Sequence, residues 1–325
     1  MGYGVCDMGP DICIHGTIHI YRLNEPFPQE PYRNVAIKSL YRGFKRTPSP
    51  RPTTTTMDED KYVLMIKTVQ IQPIRNMITA IKDILTDATI TFTKEGFKIV
   101  NFDKSHTSLI HVNLYANKFE YYNCKPEKIV ICANTLHLFK VISTMSNDDT
   151  LTMYIERNDY HDGVVSHLGL QYENGDIHQC YIQKLRLIEP DTEELMIPDI
   201  EYTTIINLPS LDFQKICRDM NSISERVEIR NTSTELRFSC EGNFASTQIY
   251  RTETDGYTEF VQRPSDPSVV TQGVFSTKSL LQFIKCTPLC NTVELYLSND
   301  LPLICSYECA SLGSIRLCLS SLPTI

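Results

Sequence analysis

The short sequence Asp-Tyr-His-Asp-Gly, from Asp159 to Gly163, brings together residue types used in hydrolysis. Two carboxylates and an imidazole could act as general acid and base. They lie between two strand-like segments, however, where Asp and Gly are common turn residues, and this position predicts a polar hairpin loop. No G-x-S-x-G, H-E-x-x-H or dinucleotide-binding glycine pattern accompanies them. We therefore predict no catalytic residues and no cofactor, with a Mg²⁺-dependent nuclease as the enzymatic alternative.

The twelve cysteines are a second set with possible chemistry. Zinc modules use Cys-x-x-Cys pairs, whereas the nearest pairs here are Cys286-x3-Cys290 and Cys305-x3-Cys309, with no histidine nearby. A looser N-terminal group matches no zinc module: Cys6, Cys13, His15 and His19. The N-terminus shows no basic segment followed by an apolar core, so we expect no secretory signal. The cysteines are predicted to be reduced thiols that pack as small apolar residues, and no metal site is predicted.

The net charge of −8 is unevenly distributed along the chain. Residues 1–56 hold seven Lys and Arg and four Asp and Glu, a balance of +3, and the rest holds 24 and 35, a balance of −11. An acidic body disfavours nucleic-acid binding unless its cations are gathered on one surface. No apolar run reaches the roughly 18 residues of a membrane span, so no membrane segment is predicted.

The elements that would position these residues repeat four times from Lys61 onwards as strand, helix, strand, strand. In the first repeat, the apolar residues of the helix follow an i, i+3, i+4, i+7, i+10 pattern: Ile74, Met77, Ile78, Ile81 and Ile84. Similar helices are predicted near Thr135, Ser210 and Thr277. One short helix for several antiparallel strands indicates an α+β fold with helices on one face of the sheets.

Two repeats lie on each side of the acidic stretch DTEELMIPDIEY, Asp191–Tyr202, which contains apolar residues and a proline. We interpret it as a connector between two duplicated domains. The stretch Lys45–Asp60 is rich in Pro and Thr and has no apolar period, which is typical of a disordered linker. The predicted organisation is an N-terminal extension (1–56, largely disordered), a first domain (57–186), the connector (187–202) and a second domain (203–325).

The outward faces of the four predicted helices carry cations at equivalent positions. They are Arg75 and Lys82, His137 and Lys140, Lys215 and Arg218, and Lys278 and Lys285. The acidic residues on the same helices are Asp83, Asp212 and Asp219. A segregated cationic surface in an acidic protein predicts contact with phosphates rather than with base edges.

Residues 61–322 resemble the proliferating cell nuclear antigen family of eukaryotic-type sliding clamps. The resemblance rests on NFDKSHTSLIHVNL, MIPDIEY, LPSLDFQKICRDMNSISERVEI and FIKCTPLCNTVELYLSNDLPLICSYE, in family order and spacing. It implies two duplicated clamp domains with antiparallel sheets outside and short helices lining an inner face around duplex DNA. Asn76 and Ser143 stand where relatives often have lysine. The DNA-facing residues implied are Arg75, Lys82, Lys140, Lys215, Arg218, Lys278 and Lys285.

The same resemblance implies an apolar pocket, under the connector, for partners carrying a Q-x-x-[aliphatic]-x-x-aromatic-aromatic motif. Its implied residues are Phe102, His106, Leu109, Leu195, Ile197, Pro198 and Pro302. Cys318, Ser320 and Ser321 differ from the family pattern on the far side of this pocket. Subunits would join through edge strands near Ile177–Leu185 and Phe244–Thr252, in a ring that is usually a homotrimer.

The function implied is a DNA sliding clamp that tethers DNA polymerase and other replication or repair proteins. The chain has no G-x-x-x-x-G-K-[ST] motif, so an ATP-driven clamp loader would be a further partner. The expected location is the nucleus or the replication compartment of a large DNA virus. Two alternatives keep the fold: a checkpoint-type clamp subunit, and a viral-type processivity factor that does not close a ring.

Overall fold

The protein's structure, a computed structural model, describes residues 59–190 and 200–323. The predictions for the extension and its Cys–His group lie outside these residues, as do those for Leu195, Ile197 and Pro198. Residues Met57–Ile325 form one compact unit. Within the described residues, no helix is long and apolar enough to cross a membrane.

The first half of the described chain contains helices α1 (Ile71–Ile81) and α2 (Thr135–Ile142). Its strands are β1 (Tyr62–Thr68), β2 (Asp87–Thr93), β3 (Gly96–Phe102), β4 (Ser108–Tyr115), β5 (Tyr121–Cys124), β6 (Lys128–Asn134), β7 (Thr150–Glu156), β8 (Tyr160–His161), β9 (Val164–Val165), β10 (His167–Asn174) and β11 (Gln179–Arg186). The repeat pattern does not predict β5, since its four residues are too few for alternation to be visible.

The second half contains helices α3 (Ser210–Asn221) and α4 (Thr277–Phe283), the latter followed by a 3-10 segment, Ile284–Leu289. Its strands are β12 (Thr204–Pro209), β13 (Arg226–Asn231), β14 (Glu235–Glu241), β15 (Ser246–Thr252), β16 (Glu259–Gln262), β17 (Thr271–Ser276), β18 (Thr292–Leu297), β19 (Leu303–Glu308) and β20 (Gly313–Leu319). The strand–helix–strand–strand order predicted for each half is confirmed.

The fourth helix is shorter than predicted, because the sequence pattern extends it through Lys285 and Cys286. Pro288 has no N–H with which to bond the carbonyl of Ile284, four residues earlier. The Thr287 hydroxyl donates to that carbonyl instead, at 2.6 Å. The chain therefore tightens into the 3-10 segment, and Lys285 lies on this segment rather than on α4.

The strands form antiparallel sheets, the largest of which joins the two halves. Its strand order is β16-β12-β18-β19-β20-β4-β3-β2-β6, and the halves meet where β20 pairs with β4. A five-stranded sheet, β11-β10-β7-β1-β5, belongs to the first half, and a four-stranded sheet, β15-β14-β13-β17, to the second.

The core lies between the helices and the sheets. Helix α3 turns Phe213, Ile216, Cys217 and Met220 inward, as predicted. Seven of the ten described cysteines are buried: Cys124, Cys132, Cys217, Cys240, Cys286, Cys305 and Cys309. Burial raises the pKa of the Cys309 thiol to about 12, which keeps it protonated. Within the described part, the burial of these thiols confirms the interpretation of the cysteines as packing residues.

Candidate functional site

The helices of both halves belong to one contiguous layer. Helix α1 contacts α2 on one side and the 3-10 segment Ile284–Leu289 on the other. Helices α3 and α4 contact each other, and both contact the same segment. The 3-10 segment therefore connects the helices of the first half to those of the second. We refer to these four helices and the 3-10 segment as the helix layer.

Five of the seven predicted DNA-facing side chains are exposed on the helix layer: Lys140, Lys215, Arg218, Lys278 and Lys285. Arg75 and Lys82 are half-buried. Arg75 Nη1 donates to Asn147 Oδ1 at 2.9 Å, and its other terminal nitrogen donates to the Met145 carbonyl. These bonds fasten α1 to the loop after α2 and occupy donors that a phosphate would otherwise use.

Asp83, just after α1, binds two of the predicted DNA-facing lysines. Its carboxylate accepts from Lys82 Nζ at 2.6 Å and also from Lys285 Nζ of the 3-10 segment. Partial burial alone would raise the pKa of Asp83, but the hydrogen bonds from Lys285 and Lys82 hold it below its usual range. Asp83 thus joins the two halves of the helix layer and neutralises part of its positive charge.

A cavity of about 640 Å³ opens on the other face of the nine-stranded sheet. Along β4, Ile110 and Val112 are buried in the core, while Leu109 and His111 point the opposite way and line the cavity. Successive side chains of a strand alternate between faces. The cavity, which we call the outer pocket, therefore lies across the sheet from the core.

The floor of the outer pocket is one row of cross-strand neighbours. Direct register partners run across seven strands from β3 to β16. In order they are Phe102, Leu109, Cys318, Ile304, Tyr296, Ile205 and Gln262. Only the first two belong to the first half, so the pocket exists because β20 pairs with β4.

Three of the predicted pocket residues line the outer pocket: Phe102, Leu109 and Pro302. Phe102 and Leu109 are register partners on β3 and β4, and Pro302 precedes β19. Of the three residues that differ from the family pattern, Cys318 and Ser320 line it as well, whereas Ser321 does not. A cysteine in the middle of the row leaves more space than an aromatic residue would.

His106 lies beside the pocket in the turn between β3 and β4. Its ring centroid is 5.5 Å from that of Phe102, and its φ of 54° is in the left-handed region. Asp103 holds this turn, because its carboxylate accepts the backbone N–H groups of Thr107 at 2.9 Å and Ser108 at 2.7 Å. A fixed turn of this kind orients His106 toward the rim.

Several pocket residues were not predicted, among them His111, Tyr202, Tyr296 and Arg316. The Tyr202 hydroxyl donates to the Pro302 carbonyl at 2.9 Å, and its ring meets Tyr296 edge-on with centroids 5.7 Å apart. Burial raises the pKa of Tyr202 to about 12, so this hydroxyl remains a donor. Alternation within each strand separates such residues from the core, but it does not indicate which strands are neighbours.

Two edge strands expose large apolar side chains. Strand β11 ends the five-stranded sheet, and Ile182 on it is 63% exposed. Strand β15 ends the four-stranded sheet, where Tyr250 is 52% exposed and nearby Phe244 is 78% exposed. Apolar edges of this kind are normally covered by another strand. These are the two segments predicted to join subunits, and their pairing stays a prediction.

The Asp159–Gly163 sequence is part of a short hairpin, as predicted: Tyr160–His161 form β8, and Asp162 and Gly163 connect it to β9. Asp162 and Gly163 make its turn, with φ values of 50° and 85°. The Asp159 carboxylate accepts from Lys184 Nζ at 3.0 Å and from Ser166 Oγ at 3.1 Å. Partial burial would raise the pKa of Asp159, but the hydrogen bonds from Lys184 and Ser166 hold it below its usual range. Asp159 thereby anchors edge strand β11 to the loop.

Comparison with known proteins places this architecture in a family. Residues 63–194 match the model of the proliferating cell nuclear antigen N-terminal domain, and residues 196–322 match that of its C-terminal domain. The chain belongs to the proliferating cell nuclear antigen family, and the predicted α+β clamp fold is confirmed. It is 30% identical over 264 residues to the "Probable DNA polymerase sliding clamp 1" of Paramecium bursaria Chlorella virus 1, covering 80% of this chain and 97% of that protein.

Proposed function

We infer that this protein is a DNA sliding clamp, a processivity factor that encircles duplex DNA and tethers DNA polymerase. The observation that supports the inference is the helix layer, in which helices of both halves contact one another and each helix carries cations predicted to face DNA. Lysine and arginine side chains on such a surface neutralise phosphates without reading bases, which a sliding protein requires.

The proposed mechanism is topological and needs no catalytic residue. Encirclement keeps the clamp on DNA, and the tether raises the local concentration of the polymerase. We propose that Lys140, Lys215, Arg218, Lys278 and Lys285 face DNA, together with Arg75 and Lys82. The contacts of Arg75 with Asn147, and of Lys82 and Lys285 with Asp83, give these three a smaller share.

We propose that the outer pocket receives the Q-x-x-[aliphatic]-x-x-aromatic-aromatic motif of polymerase, clamp loader and other partners. Its apolar row is a continuous surface between polar rim residues, an arrangement typical of peptide sites. Leu195, Ile197 and Pro198 would supply the wall that the connector contributes. His106 would contact the peptide from the rim.

The proposed organisation keeps two domains, 57–186 and 203–325, with a connector at 187–202 and an extension at 1–56. The end of β11 at Arg186 and the start of β12 at Thr204 support these limits. We propose a homotrimer closed by pairing of β11 with β15 of the next subunit. Its place of action would be the nucleus or a viral replication compartment.

Retention on DNA of two topologies tests the function. With a clamp loader and ATP, the protein should remain on nicked circular DNA and be lost once that DNA is linearised. The mass in solution should be three times that of the chain. Equal retention on both DNAs would contradict encirclement. A monomer would favour the non-ring factor, and a complex only with other clamp subunits would favour the checkpoint type.

A further inference from the structure

Three basic side chains lie side by side on the sheet next to the outer pocket. His111 on β4 is the register partner of Arg316 on β20 and of Val100 on β3. Lys98 is two residues before Val100 and so points to the same face. Lys98 and Arg316 are exposed, and His111 is half-buried. We call Lys98, His111 and Arg316 the basic strip.

The cations of the basic strip are not ion-paired with a carboxylate on the described part of the sheet. Within the described residues, neither Arg316 nor Lys98 forms an ion pair, and the Arg316 guanidinium lies 5.8 Å from the centre of the Tyr296 ring. The Glu294 carboxylate, on the same face, accepts a hydrogen bond from the Tyr296 hydroxyl at 2.9 Å and forms no ion pair with Arg316. Glu201, at the pocket rim, is not paired with either cation.

The effect of this charge is visible at His111. Burial lowers the pKa of His111, and the positive charges of Arg316 and Lys98 lower it further. Arg316 and Lys98 therefore supply positive charge at the edge of an apolar cavity, and His111, which is neutral near pH 7, adds an N–H donor beside them. Arg316 and His111 also line that cavity, so a bound peptide would partly exclude water from them.

We propose that the basic strip is a subsite for a carboxylate side chain, so that this clamp prefers partner peptides with an acidic residue beside their apolar anchors. The inference rests on the proposed function of the outer pocket and adds a charge requirement to it. A carboxylate could accept hydrogen bonds from both terminal nitrogens of the planar Arg316 guanidinium group. A lysine at the same peptide position would be repelled, which gives discrimination as well as affinity.

Charge complementarity argues for an acidic peptide as the occupant. The competing occupant is the protein's own segment 191–199, which carries Asp191, Glu193, Glu194 and Asp199. The two occupants can be distinguished by experiment. If a peptide carboxylate occupies the basic strip, the affinity of the peptide depends on its own acidic residue. The experiment therefore varies the charge of the peptide and the charge of the protein separately.

The test uses fluorescence anisotropy with labelled peptides of the form Q-S-S-L-S-S-F-F followed by two serines. Each serine in turn is replaced by Asp or by Asn, which gives pairs that differ only in charge. With the unaltered full chain, we expect the Asp peptide to bind about fivefold more tightly than its Asn partner for at least one position. Fivefold corresponds to on the order of 1 kcal/mol, a usual strength for a partly exposed ion pair.

Arg316→Gln should reduce that preference below twofold while leaving the Asn peptide's affinity unchanged within twofold. Lys94→Gln, an exposed cation in the β2–β3 turn, is the matched control and should preserve the preference. The absence of preference at every position, or its survival in Arg316→Gln, would overturn the proposal. A preference seen only after Glu193→Gln with Glu194→Gln would identify the connector as the occupant and likewise overturn it. If no peptide of either kind binds, the pocket assignment itself fails.

Discussion

The helix layer and the outer pocket lie on opposite sides of the same core and are built from different kinds of positions. The helix layer presents Lys140, Lys215 and Lys278 on long exposed stems, each free to reorient. The pocket floor presents Leu109, Cys318 and Ile304 from paired strands, each held by its register partner. Long cations suit a ligand that must move past them, whereas a fixed apolar row suits one that must stay.

The two surfaces also treat charge differently. In the helix layer, Asp83 pairs with Lys82 and Lys285 and so reduces the positive charge of that surface. In the basic strip, Arg316 forms no ion pair with a carboxylate of the described residues and lies instead near the Tyr296 ring. A clamp that slides benefits from weak phosphate contacts, whereas a peptide site benefits from a directional ion pair.

The largest effect is expected from Leu109→Asp. A carboxylate in the middle of the apolar row would be desolvated by a bound peptide, so affinity for the Q-x-x-L-x-x-F-F peptide should fall about 100-fold, on the order of 3 kcal/mol. Isothermal titration measures this loss. Leu211→Asp, at a site 72% exposed on α3, is the control and should bind normally. Affinity within threefold of the unaltered protein would remove Leu109 from the pocket.

The next effect concerns Lys215→Glu combined with Arg218→Glu. Both side chains are exposed on α3, and their reversal should weaken retention on circular DNA about tenfold, because two phosphate contacts become repulsive. Peptide affinity should stay unchanged. Lys94→Glu with Arg157→Glu changes net charge equally in loops outside the helix layer and should retain DNA. If both double variants lose DNA to the same extent, net charge rather than the helix layer governs binding.

A smaller effect of opposite sign is expected from Asp83→Asn. Freeing Lys82 and Lys285 should add about one to two phosphate contacts, which steepens the logarithmic salt dependence of DNA retention by roughly 1–2. Asp219→Asn is the matched control, because it removes the same charge from exposed α3 without breaking an ion pair. Equal salt slopes for both variants would show that the Asp83 pairs do not compete with DNA.

The smallest effect concerns the pH dependence of folding at His111. Because the folded-state pKa of His111 lies below its ordinary value of 6.5, the unfolded chain takes up a proton more readily. The free energy of unfolding should therefore fall as pH drops from about 7.5 to about 5.5. His111→Gln should make this fall shallower, as measured by urea unfolding at both pH values. An unchanged slope would mean that His111 is protonated as easily in the fold as in the unfolded chain.

Much of the fold could be predicted from local patterns. The apolar spacing from Ile74 to Ile81 indicated α1, and the alternation around Gly96 indicated the β2–β3 hairpin. Local patterns predicted the structure less well where a single residue changes the backbone geometry or the contacts. Pro288 ended α4 early, and the pairing of Asp83 with Lys285 of the other half was not visible in the local pattern.

The candidate site shows the same division. The resemblance to the clamp family pointed to Phe102, Leu109 and Pro302, and these line the outer pocket. It did not indicate Arg316 and His111, which become neighbours only through the pairing of β20 with β4. No pattern within either strand carries that information, because the two strands are about two hundred residues apart.

The sequence by itself determined the repeat of strand and helix, the face that each element buries, and the family to which the chain belongs. These follow from local periodicity and from motifs, which neighbouring residues encode. Only the tertiary structure decided that one row of side chains across seven strands forms the pocket floor. It also decided that Asp83 of the first half forms an ion pair with Lys285 of the second. The physical reason is register: a shift of one residue between β4 and β20 would place Phe102 and Leu109 on the opposite face of the sheet from the other floor residues.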